Sequence, residues 1–296
     1  MKPAPFRYEA PETIDEALEL LHEHGDEAKP LAGGQSLLPL MALRLAVPDV
    51  LVDLSRVAAL RGSAAGPGGC SYGAGTAHSA FEDGRVADPA SGLLRAAASG
   101  IGYRAIRNRG TVGGSLAHAD PSAEWPVVMS ALGATCTARS LDRGTREIPA
   151  REFVQGFYAN ALSDTEILTS VYVPSLPPGT RWGYHKACRK PGEFSDSLAV
   201  VLVSAGNGWV GNGRAGGGLV TRAEAWLGAA ADAPVPVTAL GDILSGRALG
   251  DVAKEEVLHG VAASLPSARN AEERYRVHRH GITVWRALLQ IQEGAG

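Results

Sequence analysis

Cysteine is scarce in this sequence and is not clustered. The 296 residues contain three cysteines, Cys70, Cys136 and Cys188, which lie far apart. An odd, scattered set forms neither a disulfide framework nor the closely spaced motif that holds an iron–sulfur cluster or a metal ion. Any redox chemistry on this chain therefore needs an organic cofactor, and we expect no metal site.

Long apolar runs and a strong net charge are also missing. No run of eighteen apolar residues occurs, so we expect no membrane span. The formal net charge of −3 gives no basic footprint for nucleic acid. There is no Walker loop to support ATP hydrolysis. Residues 1–9 lack the apolar core of a signal peptide, and we expect a cytoplasmic protein.

Glycine, by contrast, is plentiful. The chain has 37 glycines and 18 prolines, with 45% hydrophobic residues. This composition excludes disorder for most of the chain and indicates a globular fold with many tight turns. Some of these glycines are expected to have specific roles.

Periodicity predicts an α+β fold. Thr13 and Glu16 form a capping box that begins a helix with apolar residues three and four positions apart. Asp120-Pro121 is predicted to start another helix, because proline is favoured at the first helical position. The predicted strands are 28–32, 50–54, 135–138, 167–173 and 199–203, and the other predicted helices are 87–106 and 271–292, the last with Tyr275, His278, Ile282, Trp285 and Leu289 near one face.

Prolines at 174, 177 and 178 mark a predicted domain boundary. We divide the chain into residues 1–175, with two α/β subdomains of about 1–55 and 56–175, and a smaller domain at 176–296.

Two similar glycine turns lie about eighty residues apart in sequence. One is 32–36 (Ala-Gly-Gly-Gln-Ser) and the other is 110–115 (Gly-Thr-Val-Gly-Gly-Ser). Consecutive N–H groups in such turns can form an anion-binding nest, and neighbouring hydroxyls add donors. Two such turns brought together would hold the two phosphates of a dinucleotide. The alternative is two ordinary turns in a glycine-rich chain.

A formal Gly-x-Gly-x-x-Gly occurs at 206–211, with Glu224 downstream. The dinucleotide fingerprint requires a helix after it, but the following residues 212–218 are again rich in glycine. We interpret this stretch as a loose hairpin turn.

Longer motifs surround both glycine turns and carry a family resemblance. Residues 29–41 (Lys-Pro-Leu-Ala-Gly-Gly-Gln-Ser-Leu-Leu-Pro-Leu-Met) and 106–121 (Ile-Arg-Asn-Arg-Gly-Thr-Val-Gly-Gly-Ser-Leu-Ala-His-Ala-Asp-Pro) resemble the two FAD-binding loops of the medium, flavin-carrying subunit of molybdenum hydroxylases. These are relatives of xanthine dehydrogenase and aerobic carbon monoxide dehydrogenase. Residues 165–168, 184–186 and 274–276 resemble later landmarks of the family.

The resemblance implies a vanillyl-alcohol-oxidase-like (PCMH-type) FAD-binding domain followed by a CO-dehydrogenase-flavoprotein-like C-terminal α/β domain. It also implies that FAD is the cofactor. The residues expected to contact FAD are Ala32, Gly33, Gly34, Gln35, Ser36, Leu37, Ile101, Thr111, Gly113, Gly114, Ser115, Glu124, Leu168, Lys186 and Phe194.

Several of these residues have an implied role. Glu124, where many family members have Asp, is expected to bind the sugar hydroxyls of the cofactor. Leu168 is expected to contact the flavin, and Lys186 to lie near the pyrimidine end of its ring. A cation there would stabilise the anionic reduced flavin and raise its potential. Phe194 would either screen the ring or pack in the core.

Other polar residues near the second turn keep two interpretations each. His118 would hydrogen-bond the cofactor or cap the next helix. The basic cluster of Arg104, Arg107 and Arg109 would assist pyrophosphate binding or form a solvated helix end.

By this resemblance the chain is an electron-transfer subunit without a catalytic base of its own. Electrons from a molybdenum-cofactor large subunit would arrive through a 2Fe-2S small subunit and leave to NAD, a quinone or oxygen. The alternative is a stand-alone FAD-dependent oxidase or dehydrogenase, a homodimer in that case, because residues 193–196 and 205–218 depart from the family pattern. A scaffold that has lost FAD is a third possibility, which the intact glycine turns disfavour. We expect Gly33→Val or Gly113→Val to exclude the pyrophosphate and leave the fold largely intact.

Overall fold

The computed structural model describes residues 2–206, 209 and 218–294. In this part of the chain helices and strands alternate around three main sheets. The α+β prediction is confirmed. Most of the glycine-rich stretch 205–218, including residues 207, 208, 210 and 211 of the formal motif, lies outside the described residues.

The N-terminal unit is built on a parallel sheet with strand order β1–β3–β2. The predicted capping box of Thr13 and Glu16 begins its first helix, which buries Leu18 and Leu21. Because the strands run parallel, their carboxyl ends share one edge, and the first glycine turn follows β2 at that edge. The elements are β1 Arg7–Glu9, α1 Ile14–His24, β2 Ala28–Leu31, α2 Leu37–Ala42 and β3 Val50–Asp53.

The second unit surrounds an antiparallel sheet with strand order β4–β5–β10–β6–β7. Its core contains fully buried Tyr72, Trp125 and Phe153. Its elements are β4 Ser63–Gly66, β5 Gly69–Gly73, α3 His78–Glu82, α4 Leu93–Ser99, α5 Arg104–Arg107, α6 Val112–His118, α7 Glu124–Ala131, β6 Thr135–Ser140, β7 Gly144–Pro149, α8 Ala150–Phe153, β8 Val154–Gly156, β9 Ala159–Asn160 and β10 Ile167–Pro174.

Two predicted helices have different bounds in the structure. The single helix predicted over 87–106 is two short helices, α4 and α5, because Gly100 ends the first and Gly102 turns the chain with φ +50°. The helix predicted from Asp120-Pro121 begins at Glu124. The Asp120 carboxylate instead accepts a hydrogen bond from the Ser122 amide, 2.8 Å, which holds a turn before the helix.

The third unit is an antiparallel sheet, β11–β12–β13–β14, covered by helices on both faces. Apolar side chains of β12 point alternately to the two faces of the sheet, so both faces need cover. Leu198 and Val200 pack toward α7, while Val201 and Val203 pack toward the C-terminal helices. The elements are β11 Thr180–Ala187, β12 Ser197–Ala205, β13 Val220–Gly228, β14 Val235–Pro236, α9 Ala239–Leu244, α10 Lys254–Ala263 and α11 Ala271–Glu293.

Helix α11 is where it was predicted, but it buries a different face. The buried residues include His280, Val284 and Leu288, whereas the predicted Tyr275 is 63% exposed. The first nine residues of α11, 271–279, are exposed or half-buried, so the buried stripe begins only at His280.

The domain boundary at 175/176 stays a prediction. Leu198 and Val200 from beyond the boundary belong to the same buried cluster as Trp125 and Leu168 from before it. Among the described residues, we find no helix that combines the length and the apolar character required to cross a membrane.

Candidate cofactor site

The two glycine turns meet in the structure. A Cβ added to Gly33 would collide with the carbonyl oxygen of Arg109 and lie 2.6 Å from the Cα of Gly110. A Cβ on Gly114 would lie 3.2 Å from the Cβ of Ala32. The two turns, far apart in sequence, therefore form one continuous backbone surface, as the two-loop hypothesis requires.

The structure gives a different reason for glycine at positions 33 and 113 than close approach of a pyrophosphate. The Cβ direction of Gly33 points into the second turn, and that of Gly113 points into Ala74, with the Ala74 carbonyl oxygen 2.7 Å away. Valine at either position would force the backbone apart before it met a ligand. Loss of cofactor with a largely intact fold, as expected from the sequence, is therefore the wrong outcome for Gly33→Val and Gly113→Val.

The first turn presents free backbone donors. The amide N–H groups of residues 33–37 have no acceptor in the described part of the chain. Gly34 has φ +73°, a conformation that favours glycine, and the side-chain amide of Gln35 donates to the carbonyl of Gly33, 3.0 Å. Ser36 stands at the N-cap of α2 without a side-chain capping bond. Consecutive free donors at a turn can form a nest for an anion.

The second turn differs from the expected nest. The amides of 112–114 donate to the Thr76 carbonyl, the Ala74 carbonyl and the Thr111 hydroxyl at 2.8–3.0 Å. These donors hold the turn against the protein and are not available to a ligand. What the second turn offers is its close-packed surface and the half-buried side chain of Ser115.

A buried histidine lies under the second turn, and sequence reasoning missed it. The indole N–H of Trp125 donates to Nδ1 of His78, 3.0 Å, so the proton of the neutral ring is on Nε2. Burial lowers the pKa of His78 to about 3, which keeps the ring neutral. A Cβ on Gly110 would lie 2.7 Å from that Nε2, so the second turn packs directly against the His78 ring at this glycine.

Glu124 and Lys186 form a buried ion pair. The Lys186 ammonium donates to Oε1 of Glu124 at 2.6 Å and to the Gly100 carbonyl at 3.0 Å. Their side chains are only 7% and 8% exposed. Burial raises the pKa of the Glu124 carboxyl, and the ammonium opposes that rise. The sequence assigned these residues to separate parts of the cofactor, whereas the structure shows them paired with each other.

Tyr184 completes this polar cluster. Its hydroxyl is buried and has no hydrogen-bond partner among the described residues. It lies 3.6 Å from the Cβ position of Gly100, and the Glu124 charge contributes to raising its pKa, after burial. Tyr184 and Lys186 share one face of β11 because strand residues two apart point the same way. That spacing was the available sequence signal for Tyr184.

The remaining predicted contacts lie in three different environments. Ile101 follows Gly100 and is half-buried against the core, and Phe194 lies 67% exposed in the loop between β11 and β12. Leu168 is buried in the core at a bulge in β10, so its side chain is not at the surface. Exposure of Phe194 excludes the core interpretation and leaves its ring free to cover a ligand.

Two of the three arginines in the basic cluster form ion pairs within the protein. Arg107 pairs with Glu82 at 2.8 Å and donates to the Ile101 and Gly102 carbonyls. Arg104 pairs with Glu82 and Asp83 at 2.6–2.7 Å. Arg107 therefore holds the 101–102 turn, whereas Arg104 joins α5 to the end of α3. Arg109 is exposed and its backbone carbonyl adjoins Gly33, so it is the member of this cluster that stays a candidate for pyrophosphate binding.

His118 ends α6 and packs against an aromatic ring. Its ring centroid lies 4.9 Å from that of Tyr158, and burial lowers its pKa. The position at the end of α6 differs from the predicted cap of the following helix, which starts six residues later.

The residues present fit a dinucleotide cofactor such as FAD. The five free amides of 33–37 match the acceptor oxygens of a pyrophosphate, and Ser36 and Ser115 add hydroxyls. The Glu124–Lys186 pair places a buried cation beside Ile101. Phosphate donors and a buried polar cluster therefore coexist in the region that the sequence motifs indicated.

Comparison with known proteins gives the same assignment. Residues 4–176 match the family described as the FAD binding domain in molybdopterin dehydrogenase. The carbon monoxide dehydrogenase medium chain of Afipia carboxidovorans is 32% identical over 100% of this chain and 99% of that protein. The 6-hydroxypseudooxynicotine dehydrogenase complex subunit alpha of Paenarthrobacter nicotinovorans is 39% identical over 69% of each.

A solved structure agrees over the whole chain. Carbon monoxide dehydrogenase from Hydrogenophaga pseudoflava, in a form that lacks the Mo-pyranopterin moiety of its molybdenum cofactor, superposes with a TM-score of 0.87 at 32% identity. The match covers 100% of this chain and 99% of that one. The family resemblance, the FAD cofactor and the assignment to FAD-dependent oxidoreductases are thereby confirmed, and this chain belongs to the family of FAD-binding domains of molybdopterin dehydrogenases.

Proposed function

We propose that this chain is the medium, FAD-carrying subunit of a molybdenum hydroxylase complex. It would take electrons from the 2Fe-2S clusters of a small subunit, supplied by a molybdenum-cofactor large subunit, and pass them to an acceptor. Two relatives that support this proposal are named as a medium chain and as a subunit of a dehydrogenase complex. The observation that carries it is the run of free amides at 33–37 packed against the second glycine turn.

The residues at the turns would hold the cofactor. FAD, when bound, supplies the one- and two-electron chemistry that no side chain provides. The amides of 33–37 and the hydroxyls of Ser36 and Ser115 would bind its phosphates. Because these donors belong to a turn fixed by backbone packing on Arg109 and Gly110, they are oriented before the ligand arrives.

The Glu124–Lys186 pair would determine the charge and the hydrogen-bond donor that face the flavin ring. An ammonium with three donors has two used here, by Glu124 and by the Gly100 carbonyl, in the described part of the chain. The third donor is available to a carbonyl or an anionic ring. Since Glu124 offsets the ammonium charge, Lys186 acts as an oriented donor more than as a free positive charge. The cofactor-binding assignment of Glu124 to sugar hydroxyls is replaced in this proposal by a positioning role.

The visible spectrum of the purified chain tests the proposal. We expect a flavin spectrum at one FAD per chain, or its recovery when FAD is added to a preparation that has lost it. A chain that neither retains nor regains FAD would contradict the proposal. Ser36→Ala combined with Ser115→Ala should weaken FAD binding, and Ser245→Ala, a serine next to α9 and outside the site, is the matched control.

Co-purification from the native host tests the subunit role. Recovery of the chain with partners that carry molybdenum and iron–sulfur absorbance supports the complex. A homodimer that oxidises a small molecule by itself would contradict it and favour the stand-alone enzyme.

A further inference from the structure

One short segment of the chain holds the second glycine turn in place. This supporting segment is residues 74–78, which join β5 to α3. Three backbone hydrogen bonds connect it to the turn, and with the donor named first they are Gly113 to Ala74, 2.8 Å, Val112 to Thr76, 3.0 Å, and His78 to Gly110, 2.9 Å. The position of the second turn therefore follows the position of the supporting segment.

The supporting segment, the second turn and the first turn are in contact without intervening space. A Cβ on Gly113 would lie 2.7 Å from the Ala74 carbonyl oxygen, and one on Gly110 would lie 2.7 Å from Nε2 of His78. A Cβ on Gly33 would lie 2.6 Å from the Cα of Gly110. These distances are shorter than the contacts that real Cβ atoms make. Because close-packed groups transmit displacements, a shift of the supporting segment moves the second turn against the first.

The supporting segment is itself fixed by hydrogen bonds to more distant parts of the chain. They are the Ala74 amide to the Thr169 carbonyl, 2.9 Å, the Gly75 amide to the Leu60 carbonyl, 2.6 Å, and the Thr76 hydroxyl to the Gly62 carbonyl, 2.9 Å. Thr76 is 3% exposed, and its bond uses a side chain, so a substitution removes the bond without changing the backbone. The Gly62 carbonyl also accepts from the Gly73 amide, 3.0 Å, and keeps that partner when the hydroxyl is lost.

Thr169 provides one of these bonds because it lies at the bulge in β10. The register of β10 on β6 shifts between Leu168 and Ser170, which leaves Thr169 as the extra residue. Its carbonyl accepts from the Ala74 amide, while its hydroxyl donates to the Thr137 carbonyl, 3.0 Å. The bulge thus directs a backbone acceptor to the supporting segment, and the threonine hydroxyl holds the bulge on β6.

We propose that Thr76 and Thr169 are positioning residues of the cofactor site, which act through the supporting segment to fix the spacing of the two glycine turns. A ligand that contacts both turns binds tightly only when they are held at the spacing of its own groups, because a site that must be ordered on binding loses affinity. This inference rests on the proposed function, since FAD is the ligand whose binding reports the spacing.

Thermodynamic linkage distinguishes positioning from a purely structural role. If Thr76 only stabilised the fold, its replacement would lower the stability of the free chain and of the FAD-bound chain equally. The Kd for FAD would then stay unchanged. A positioning role lowers the stability of the FAD-bound chain more, so the Kd rises.

Titration of the flavin-depleted full chain with FAD, followed by the quenching of flavin fluorescence, measures this Kd. We expect it to rise about fivefold or more in Thr76→Val and in Thr169→Val, which is the effect of one typical hydrogen bond. Thr76→Ser keeps the hydroxyl and should stay within about twofold of wild type. The matched control is Thr283→Val, because this buried hydroxyl also donates to a backbone carbonyl, that of Arg279 at 2.8 Å, but within α11. Circular dichroism establishes that each variant is folded.

Three results would overturn the inference while the proposed function stands. In a folded variant that has lost the hydroxyl of Thr76 or Thr169, a Kd within twofold of wild type excludes the role of that threonine. A Kd in Thr76→Ser as high as in Thr76→Val excludes the hydroxyl as the cause, and an equal rise in Thr283→Val excludes an effect specific to the turns. If Thr76→Val does not fold, Thr169→Val decides by the same criteria. A wild-type chain that does not bind FAD contradicts the proposed function instead.

Discussion

Removing one member of the Glu124–Lys186 pair should destabilise the chain strongly. At the observed separation of 2.6 Å, two unit charges attract by about 6 kcal/mol at an effective dielectric constant of about 20. Each side chain is more than nine-tenths buried, so desolvation of each ion opposes this attraction by several kcal/mol. The intact pair is therefore close to balanced. A single substitution that leaves one charge buried alone should cost about 3–5 kcal/mol.

A variant with both Glu124→Gln and Lys186→Met distinguishes the effect of breaking the ion pair from the effect of burying each charge. We expect Glu124→Gln and Lys186→Met each to lose about 3–5 kcal/mol of unfolding free energy. The combined variant removes both charges, so it should lose less than either single variant. Glu224→Gln breaks the exposed Arg222–Glu224 pair of β13 and should stay within about 1 kcal/mol of wild type.

Urea unfolding of the flavin-depleted chain, followed by circular dichroism, measures these differences without linkage to the cofactor. Two results would refute the reasoning. One is a loss below about 1 kcal/mol in Glu124→Gln, the range typical of exposed pairs. The other is a double variant whose loss equals the sum of the two single losses, since that would show that the groups are not coupled.

Three further predictions follow from individual contacts. Gly33→Ala should lower the free energy of unfolding by at least about 2 kcal/mol, because the added Cβ meets the second turn. The control Gly250→Ala, with open space around its Cβ, should stay within about 1 kcal/mol of wild type. Equal Tm values for the two variants would contradict the close contact between the turns. Gly183→Ala should lower the Tm as well, since its Cβ collides with the Ala287 carbonyl, and a wild-type melting curve would be inconsistent with this close helix–strand contact. Burial lowers the pKa of His280 to about 4 from 6.5, so its contribution to stability is complete above pH 6.5 and is lost, by about 3 kcal/mol, as the pH falls toward 4. Urea unfolding in His280→Asn should show a smaller loss over that pH range, and an unchanged loss would exclude His280 as its source.

Local sequence signals predicted elements well where one physical cause dominated. The capping box of Thr13 and Glu16 begins α1 as predicted, because both hydrogen bonds are made within four residues. The start of α7 was wrong because Asp120 bonds to the Ser122 amide in a competing turn. The residues predicted near one face of α11 do not form its buried stripe, because burial depends on what packs against the helix, and the periodicity of the helix does not contain that information.

In the candidate site, too, the sequence predicted the composition of the glycine turns, while tertiary packing decided which of their amides are free. Their composition predicted backbone donors for phosphate, and the first turn has five in the described part of the chain. The second turn has its amides occupied by the Thr76 and Ala74 carbonyls, which come from a distant segment. A sequence motif specifies which groups are present, but not which of them are already hydrogen-bonded.

The sequence by itself determined the family, the α+β class and the need for an organic redox cofactor. Each of these depends on residue identity and short spacing: scattered cysteines, two long glycine motifs and regular apolar periods. Only the tertiary structure decided that Glu124 meets Lys186, that His78 lies under the second turn, and that Gly33 is required for contact between the turns. These contacts join residues more than thirty positions apart, and their geometry follows from the packing of whole helices and sheets.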